Sequence, residues 1–221
     1  MEYFIADTHF ADIRIHPFYV WNTFPKDLRD QLDIANMKPI EIRHIMDEYI
    51  IKAWNDMIDE DDIVYHLGDV CYLDPQWDLA TNFIKASSFI MRLKGRKRLV
   101  LGNHDDEMFP MFPKGDSGYT YDQIFRFWQH AGFEDVRLMN NVNEFVFMRH
   151  RPPEFCNRPY FQIYGHVHMD MQYRTVTPVS ACVSCERWGF RPVSRRVLDD
   201  LRKDQELLWD VKNQNIMIDI P

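Results

Sequence analysis

The sequence predicts an α/β sandwich, strands alternating with helices in packed layers, on two observations. Five short apolar runs rich in Val, Ile, Phe and Tyr each end at polar residues, and stretches with helical periodicity lie between them. The runs are YFIAD ending at Asp7, DIVYHLGD at Asp69, KRLVLGNHD at Asp105, EFVFMRH at His150 and YFQIYGH at His166. Their length and the glycines that punctuate them fit buried strands. Between the first two, Ile42, Ile45, Met46, Tyr49, Ala53 and Met57 recur at spacings of three and four, which predicts a helix over about 41–58. Further helices are expected over 76–92, 121–131 and 194–208. EDVRLM and TVTPVSACVSCE read as strands, and the chain closes on a short apolar segment, NIMIDI.

A length of 221 residues fits one domain, 1–221, and 46% hydrophobic with 14% aromatic residues is enough for a sizeable core. Residues 11–40 stand apart as an irregular, aromatic-rich insertion with His16, Pro17, Phe18, Tyr19, Trp21, Phe24, Pro25 and Pro39. Two readings stay open for it: a lid or rim over a site, or a packed loop with a short helix near 26–34. The formal net charge of −8 argues against a protein whose main task is gripping nucleic-acid phosphates. It leaves room for a small anionic ligand, because bound cations reverse the sign of charge locally. No basic segment followed by a long apolar run opens the chain, and no stretch has the roughly 18 apolar residues of a membrane span. Four cysteines, Cys71, Cys156, Cys182 and Cys185, do not form a disulfide framework in a chain this long. A cytoplasmic, reduced setting is the expectation.

In open α/β sheets ligands bind beyond the carboxyl ends of the strands, and the metal-capable residues cluster there. Asp7 and His9 form an Asp-x-His pair, and His166 and His168 a His-x-His pair. If the chain is extended at these pairs, residues i and i+2 point to one side, so Asp7 and His9 reach one metal, and the two imidazoles reach two neighbouring metals. Gly68-Asp69 and Gly102-Asn103-His104-Asp105 each follow a buried strand, with glycine allowing the tight turn. Carboxylate, amide oxygen and imidazole together suit Mn²⁺, Fe, Zn²⁺, Co²⁺ or Ni²⁺ better than Ca²⁺ or Mg²⁺.

D-x-H, G-D, G-N-H-D, a lone His and G-H-x-H occur in order across residues 7–168, and CVSCERWGFRPVS near the end is similar to the NVS-x-x-x-W-x-x-RPVS stretch of small bacterial and phage proteins. On these motifs the chain resembles the calcineurin-like metallophosphoesterase superfamily. The resemblance implies a two-sheet β-sandwich flanked by helices, with Asp7, His9 and His168 on a first metal. It places Asn103, His150 and His166 on a second, with Asp69 bridging both. The implied cofactors are two divalent ions, Mn²⁺ first among them, that activate a bridging hydroxide. The implied catalytic residues are Asp69, His104 as proton donor to the leaving oxygen or transition-state stabiliser, and Asp105, which orients His104 or finishes the turn. The expected reaction is hydrolysis of a small phosphodiester or phosphomonoester, with nucleotides and cyclic nucleotides among the candidates. The alternatives are a metal-dependent nuclease and a non-catalytic scaffold. The expected partner is a small phosphorylated substrate, with neither membrane nor stable nucleic-acid binding.

Other residues fit plainer roles. His66, inside an apolar strand, is expected in the core; His44 and His130 are expected to be structural or solvated. Cys182 and Cys185 lack the second pair a structural zinc needs and read as core thiols. Arg149 and Arg151, alternating with His150, are expected to point away from it. Many small relatives resemble D-T-H-F-G-H where this chain has Asp7-Thr8-His9-Phe10-Ala11-Asp12, so Asp12 changes what stands near a substrate phosphate. Cys182 replaces a frequent Asn. The protein-phosphatase pattern G-D-x-x-D-R-G with G-N-H-E is absent, which argues against protein dephosphorylation.

Overall fold

A computed structural model describes residues 1–15, 23–30, 32–33, 35–107, 109, 119–154 and 159–214, with the side chains of 27 and 208–214 left out of the description. Residues 16–22, which hold most of the aromatic insertion including His16, lie outside the described residues, as do Cys156 and the NIMIDI segment.

The chain runs β1 (Glu2–Ile5), α1 (Lys26–Asp30), α2 (Pro39–Asn55), β2 (Ile63–His66), α3 (Leu79–Ile90), β3 (Arg96–Val100), α4 (Tyr121–Ala131) and β4 (Asp135–Arg137). It continues with β5 (Asn140–Asn143), β6 (Val146–Met148), β7 (Phe161–Tyr164), β8 (Ser180–Cys182), a 3₁₀ turn (Cys185–Trp188), β9 (Val193–Ser194) and α5 (Arg195–Gln214). The strands form a five-stranded sheet ordered β4-β3-β2-β1-β9 and a four-stranded sheet ordered β5-β6-β7-β8. In the first, β1 to β4 are parallel and β9 is antiparallel to β1; in the second, β6, β7 and β8 are parallel and β5 is antiparallel to β6.

Alternation along the central strands separates two cores. Tyr3 and Ile5 of β1, Val64 of β2 and Leu99 of β3 face one apolar cluster that holds Met46 and Trp54 of α2 and Trp128 of α4. Phe4, Tyr65 and Val100 face the other, where Met148, Phe161, Ile163 and Ala181 come from the second sheet. The first sheet is thus covered on both faces, which is why its strands read as continuous apolar runs. The helices start where their sequences provide caps. The Asp78 carboxylate accepts the Thr81 N–H before α3 (2.7 Å), and Thr120 and Gln123 form a reciprocal capping box before α4.

One expected strand shrinks and one unexpected strand appears. TVTPVSACVSCE yields only the three-residue β8, since Pro178 interrupts it and Cys185 begins the 3₁₀ turn. β5, written NNVN, carries no apolar alternation and was not expected; it pairs with β6 through a register shift at Asn141 and Asn143. The short helix within 26–34 is α1, and Phe24 beside it is buried in the first core.

Candidate metal centre

The parallel strands of both sheets end at one rim. Asp7 follows β1, Asp69 follows β2, Asn103 follows β3, His150 follows β6 and His166 follows β7. The strands stop short of the motif residues, however, and the backbone there is not extended. Asp7 (φ 59°), His9 (45°), Asp69 (57°), His166 (72°) and His168 (44°) all adopt the left-handed region. Alternation along a strand therefore does not explain how the Asp-x-His and His-x-His pairs converge. Left-handed turns do, at a cost on the order of 1–3 kcal/mol per non-glycine residue.

Hydrogen bonds between neighbouring turns hold that strain. Asp7 N–H donates to Gly68 O, and His9 N–H to Asp69 O, each at 3.0 Å. The His166 N–H donates to the Asp7 carboxylate at 2.9 and 3.1 Å. A buried Arg43–Asp47 pair on α2 supports the loop after β1: Arg43 donates to the Thr8 carbonyl (3.1 Å), and Asp47 accepts the Ala11 N–H (3.0 Å). Asp105 is buried and accepts the N–H groups of Asp69, Val70 and Gly102, all at 2.8 Å. Those three bonds occupy the carboxylate that the sequence grouped with the catalytic residues, and they clamp the turn carrying Asp69 to the turn carrying Asn103. Burial and the Asp69 charge push its pKa up to about 7. Close approach also requires glycine here: a Cβ on Gly102 would lie 2.2 Å from Asp69 Oδ1, and one on Gly165 would lie 2.4 Å from Ala6 Cβ.

Two groups of donors result, Asp7 with His9 and His168, and Asp69 with His150 and His166, the ligand atoms of each within 4.8 Å of one another. Asn103 joins the second, its Oδ1 3.1 Å from His150 Nε2. Asp69 stands between the groups. The His104 N–H holds its Oδ1 at 2.9 Å, and its Oδ2 lies 3.2 Å from His150 Nε2 and 3.6 Å from His9 Nε2.

The rings are turned for coordination. His150 Nδ1 is hydrogen-bonded to the Leu67 carbonyl (2.7 Å), so the ring donates there and presents Nε2 to the centre. His168 Nδ1 lies 2.7 Å from the carboxylate of buried Glu186, in the carboxylate–imidazole arrangement common behind metal ligands. His9 Nε2 is buried with no hydrogen-bond partner among the described residues, while its Nδ1 lies 3.7 Å from Asp12 Oδ2. An orphaned buried imidazole nitrogen beside a carboxylate is what a metal ligand looks like without its cation. The field agrees. Burial pulls His150 and His168 down, yet their carboxylate partners outweigh it and raise both to about 9, so protons answer the demand for positive charge. Asp69 is held well below the usual carboxylate range: burial opposes ionisation, but the His150 bond and the His150 and His9 charges overcome it. The residues present therefore fit divalent cations.

His104 lies at the edge of the first group, its ring 5.4 Å from that of His9 and its Nδ1 2.8 Å from Glu107 Oε2. Asp12 turns inward. It is buried, tied to Arg14 through its backbone N–H, Nε and Nη2, and directed at His9. His66 is a core residue. Thr8 Oγ1 donates to Val70 O (2.8 Å) and so accepts from His66 Nε2 (2.9 Å), and burial lowers the His66 pKa to about 3. His44 and His130 are exposed. Cys71, Cys182 and Cys185 are free and buried. Arg149 and Arg151 both line a cleft of about 450 Å³ with Asn103 and His150, and Arg151 Nη1 lies 3.5 Å from His166 Nε2. Sequence reasoning missed Glu186, Glu107, Arg43 and Asp47; Glu186 stood inside the recognised C-terminal motif, but its partner His168 is distant in sequence.

The model of calcineurin-like phosphoesterases matches residues 3–173. Gene 66 protein of Mycobacterium phage L5 is 35% identical over 80 residues, 34% of this chain and 36% of that protein. An uncharacterized protein of Methanocaldococcus jannaschii is 25% identical over 197 residues, 87% of this chain and 85% of that one. The match thus spans about a third of the phage relative and most of the archaeal one. Among solved structures, a protein of unknown function from Aquifex aeolicus aligns with a TM-score of 0.48 at 20% identity, over 91% of this chain and 98% of its own. The Pseudomonas putida nuclease MPE aligns at 0.42 and 16% identity, over 76% and 61%. No helix among the described residues is long and apolar enough to cross a membrane.

Proposed function

We propose that this chain, which belongs to the calcineurin-like phosphoesterase family, hydrolyses a small phosphodiester or phosphomonoester with two divalent ions, manganese first among them. Asp7, His9 and His168 would hold one ion, Asn103, His150 and His166 the other, and Asp69 both. The observation that carries this reading is the position of Asp69 Oδ2, within 3.2 Å of His150 Nε2 and 3.6 Å of His9 Nε2. When bound, a metal pair lowers the pKa of water and offsets charge on the phosphoryl oxygens. The chain's own residues do the rest. The His104 amide orients Asp69 by holding Oδ1, which leaves Oδ2 for the space between the groups. Glu107 Oε2 lies 2.8 Å from His104 Nδ1, and Nε2 is the nitrogen left for a leaving oxygen. Glu186 and the Leu67 carbonyl hold His168 and His150 by their outer nitrogens, so neither ring has to reorient during turnover.

The test is a panel with added Mn²⁺: bis-p-nitrophenyl phosphate, p-nitrophenyl phosphate, 2′,3′- and 3′,5′-cyclic nucleotides and single-stranded DNA. Turnover of small esters that chelation abolishes is expected. Cleavage of DNA alone would favour a nuclease, and no turnover of any ester would favour a scaffold. His104→Ala should keep both ions and lose roughly 10²–10⁴-fold in kcat, the usual scale of general acid–base help. Undiminished kcat would remove His104 from the chemistry.

A further inference from the structure

Beside the second donor group lies a cleft whose charge differs from the rest of this acidic molecule. Arg149 and Arg151 line it together with Asn103 and His150, facing Leu101, Leu138 and Met139. The chain carries a net charge of −8, and Arg14, Arg43, Arg92, Arg96, Arg137 and Arg195 each pair with a carboxylate. Among the described residues neither Arg149 nor Arg151 forms an ion pair. Arg151 Nη1 has His166 Nε2 as its neighbour, at 3.5 Å. His166 turns its other nitrogen, Nδ1, toward His150 Nε2 (3.2 Å) and the centre. Once Nδ1 coordinates a cation, Nε2 must carry the ring proton. Arg151 then faces a donor, and among the described residues its guanidinium is left without an acceptor beside the donor group.

We propose that Arg149 and Arg151 select a phosphoester carrying a second anionic group, such as a phosphate, on its organic part. The inference rests on the hydrolytic reading above and adds the substrate class. Arg151 stands on the far side of the His166 imidazole from the metal-facing nitrogen, so the group it binds is not the one held at the ions. Leu138 and Met139, both largely exposed, and Leu101 supply an apolar wall for the organic part between the two anions. Asp106 is the acid lining this cleft, outnumbered by the two arginines. The adjoining cleft across Arg151 carries Glu154 and Asp170 and repels an anion, which directs the ligand to the first. Arginine suits the task because its planar fork matches phosphate oxygens in pairs.

Calorimetric binding of adenosine 3′,5′-bisphosphate and of AMP to the Mn²⁺-loaded protein tests this. Wild type should bind the bisphosphate at least about tenfold more tightly, the scale of a charge-assisted hydrogen bond. Arg149→Ala/Arg151→Ala should lose that advantage while AMP affinity falls less. Melting temperature and metal content establish that the variant is folded and loaded, and the single variant Arg151→Lys, which keeps the charge without the fork, should retain part of the preference. Equal affinity for the two nucleotides in wild type, or a preference that survives in the double variant, overturns the inference. Binding with the expected preference but no hydrolysis of any ester would instead sink the hydrolytic reading and leave the anion site standing.

Discussion

Glu186 is the residue on which the orientation of His168 depends, and replacing it with Gln isolates the contribution of its charge. The side chain is 2% exposed, its carboxylate lies 2.7 Å from His168 Nδ1, and Gln preserves both shape and an acceptor oxygen. A hydrogen bond to a charged partner is worth about 1.5–3 kcal/mol and a neutral one about 0.5–1.5. The difference of about 1–1.5 kcal/mol corresponds to roughly 5–12-fold weaker binding of one ion. Protons modify the number. His168 sits at about 9 because Glu186 and the nearby Asp7 and Asp69 charges outweigh burial, so at pH 7 a cation must displace a proton from the wild-type ring. That competition costs on the order of 3 kcal/mol across two pH units and relaxes in the variant as the imidazolium loses its partner. The affinity gap between wild type and Glu186→Gln should therefore be near its full size at pH 9 and shrink toward pH 7. Anaerobic calorimetric titration with Mn²⁺ at both pH values, fitted to two sites, measures it. Equal weakening of both sites, or a gap independent of pH, would refute an action through His168.

Three further outcomes are expected. Asp69→Asn should weaken loading at both positions, because its Oδ2 faces His150 and His9 alike; full two-ion loading by elemental analysis would contradict the shared role. Gly165→Ala should displace the Asp7 carboxylate, since its Cβ would lie 2.8 Å from Asp7 Oδ2, and metal content should fall with little loss of helical circular dichroism; unchanged content would show that the turn can shift. His66 should make the chelated protein acid-sensitive. Its folded pKa of about 3 lies below the unfolded value near 6.5, so the unfolded chain binds an extra proton between those limits and stability falls as pH drops through that window. Between pH 6.5 and 4.5 the loss is on the order of 2 kcal/mol. His150 and His168, raised to about 9, act between 6.5 and 9 with the opposite sense, their stabilisation fading as pH rises. Urea titrations of wild type and His66→Gln should diverge in slope below pH 6.5, and parallel curves would exclude His66.

The residues that meet at the rim were legible in the sequence because most of them lie at or just past the end of an apolar run, and a run of that kind ends at the sheet rim whatever the details of its neighbours. Asp7, Asp69, Asn103, His150, His166 and His168 could be named from such endings. The helices were legible for a related reason: a stripe at spacings of three and four survives in one dimension, and only its ends moved, to Pro39–Asn55 and Leu79–Ile90. The way the ligands converge was not legible. Left-handed φ at Asp7, His9, Asp69, His166 and His168 arises where turns from different strands hydrogen-bond to one another, and nothing local to those residues announces it. The carboxylate of Glu186 lies 18 positions from His168 and that of Asp105 36 from Asp69, so their pairing is a property of the packed turns.

By itself, the sequence determined which metal-capable side chains lie at or just past strand ends, since residue type and periodicity give both, while their assignment to ions came from the family resemblance. Only the tertiary structure decided that Asp69 stands between the groups, that Asp12 turns inward to His9, and that among the described residues Arg151 stands beside the rim without an ion pair. Those relations depend on distances between segments far apart in the chain, and a distance of that kind exists only once the two sheets have packed.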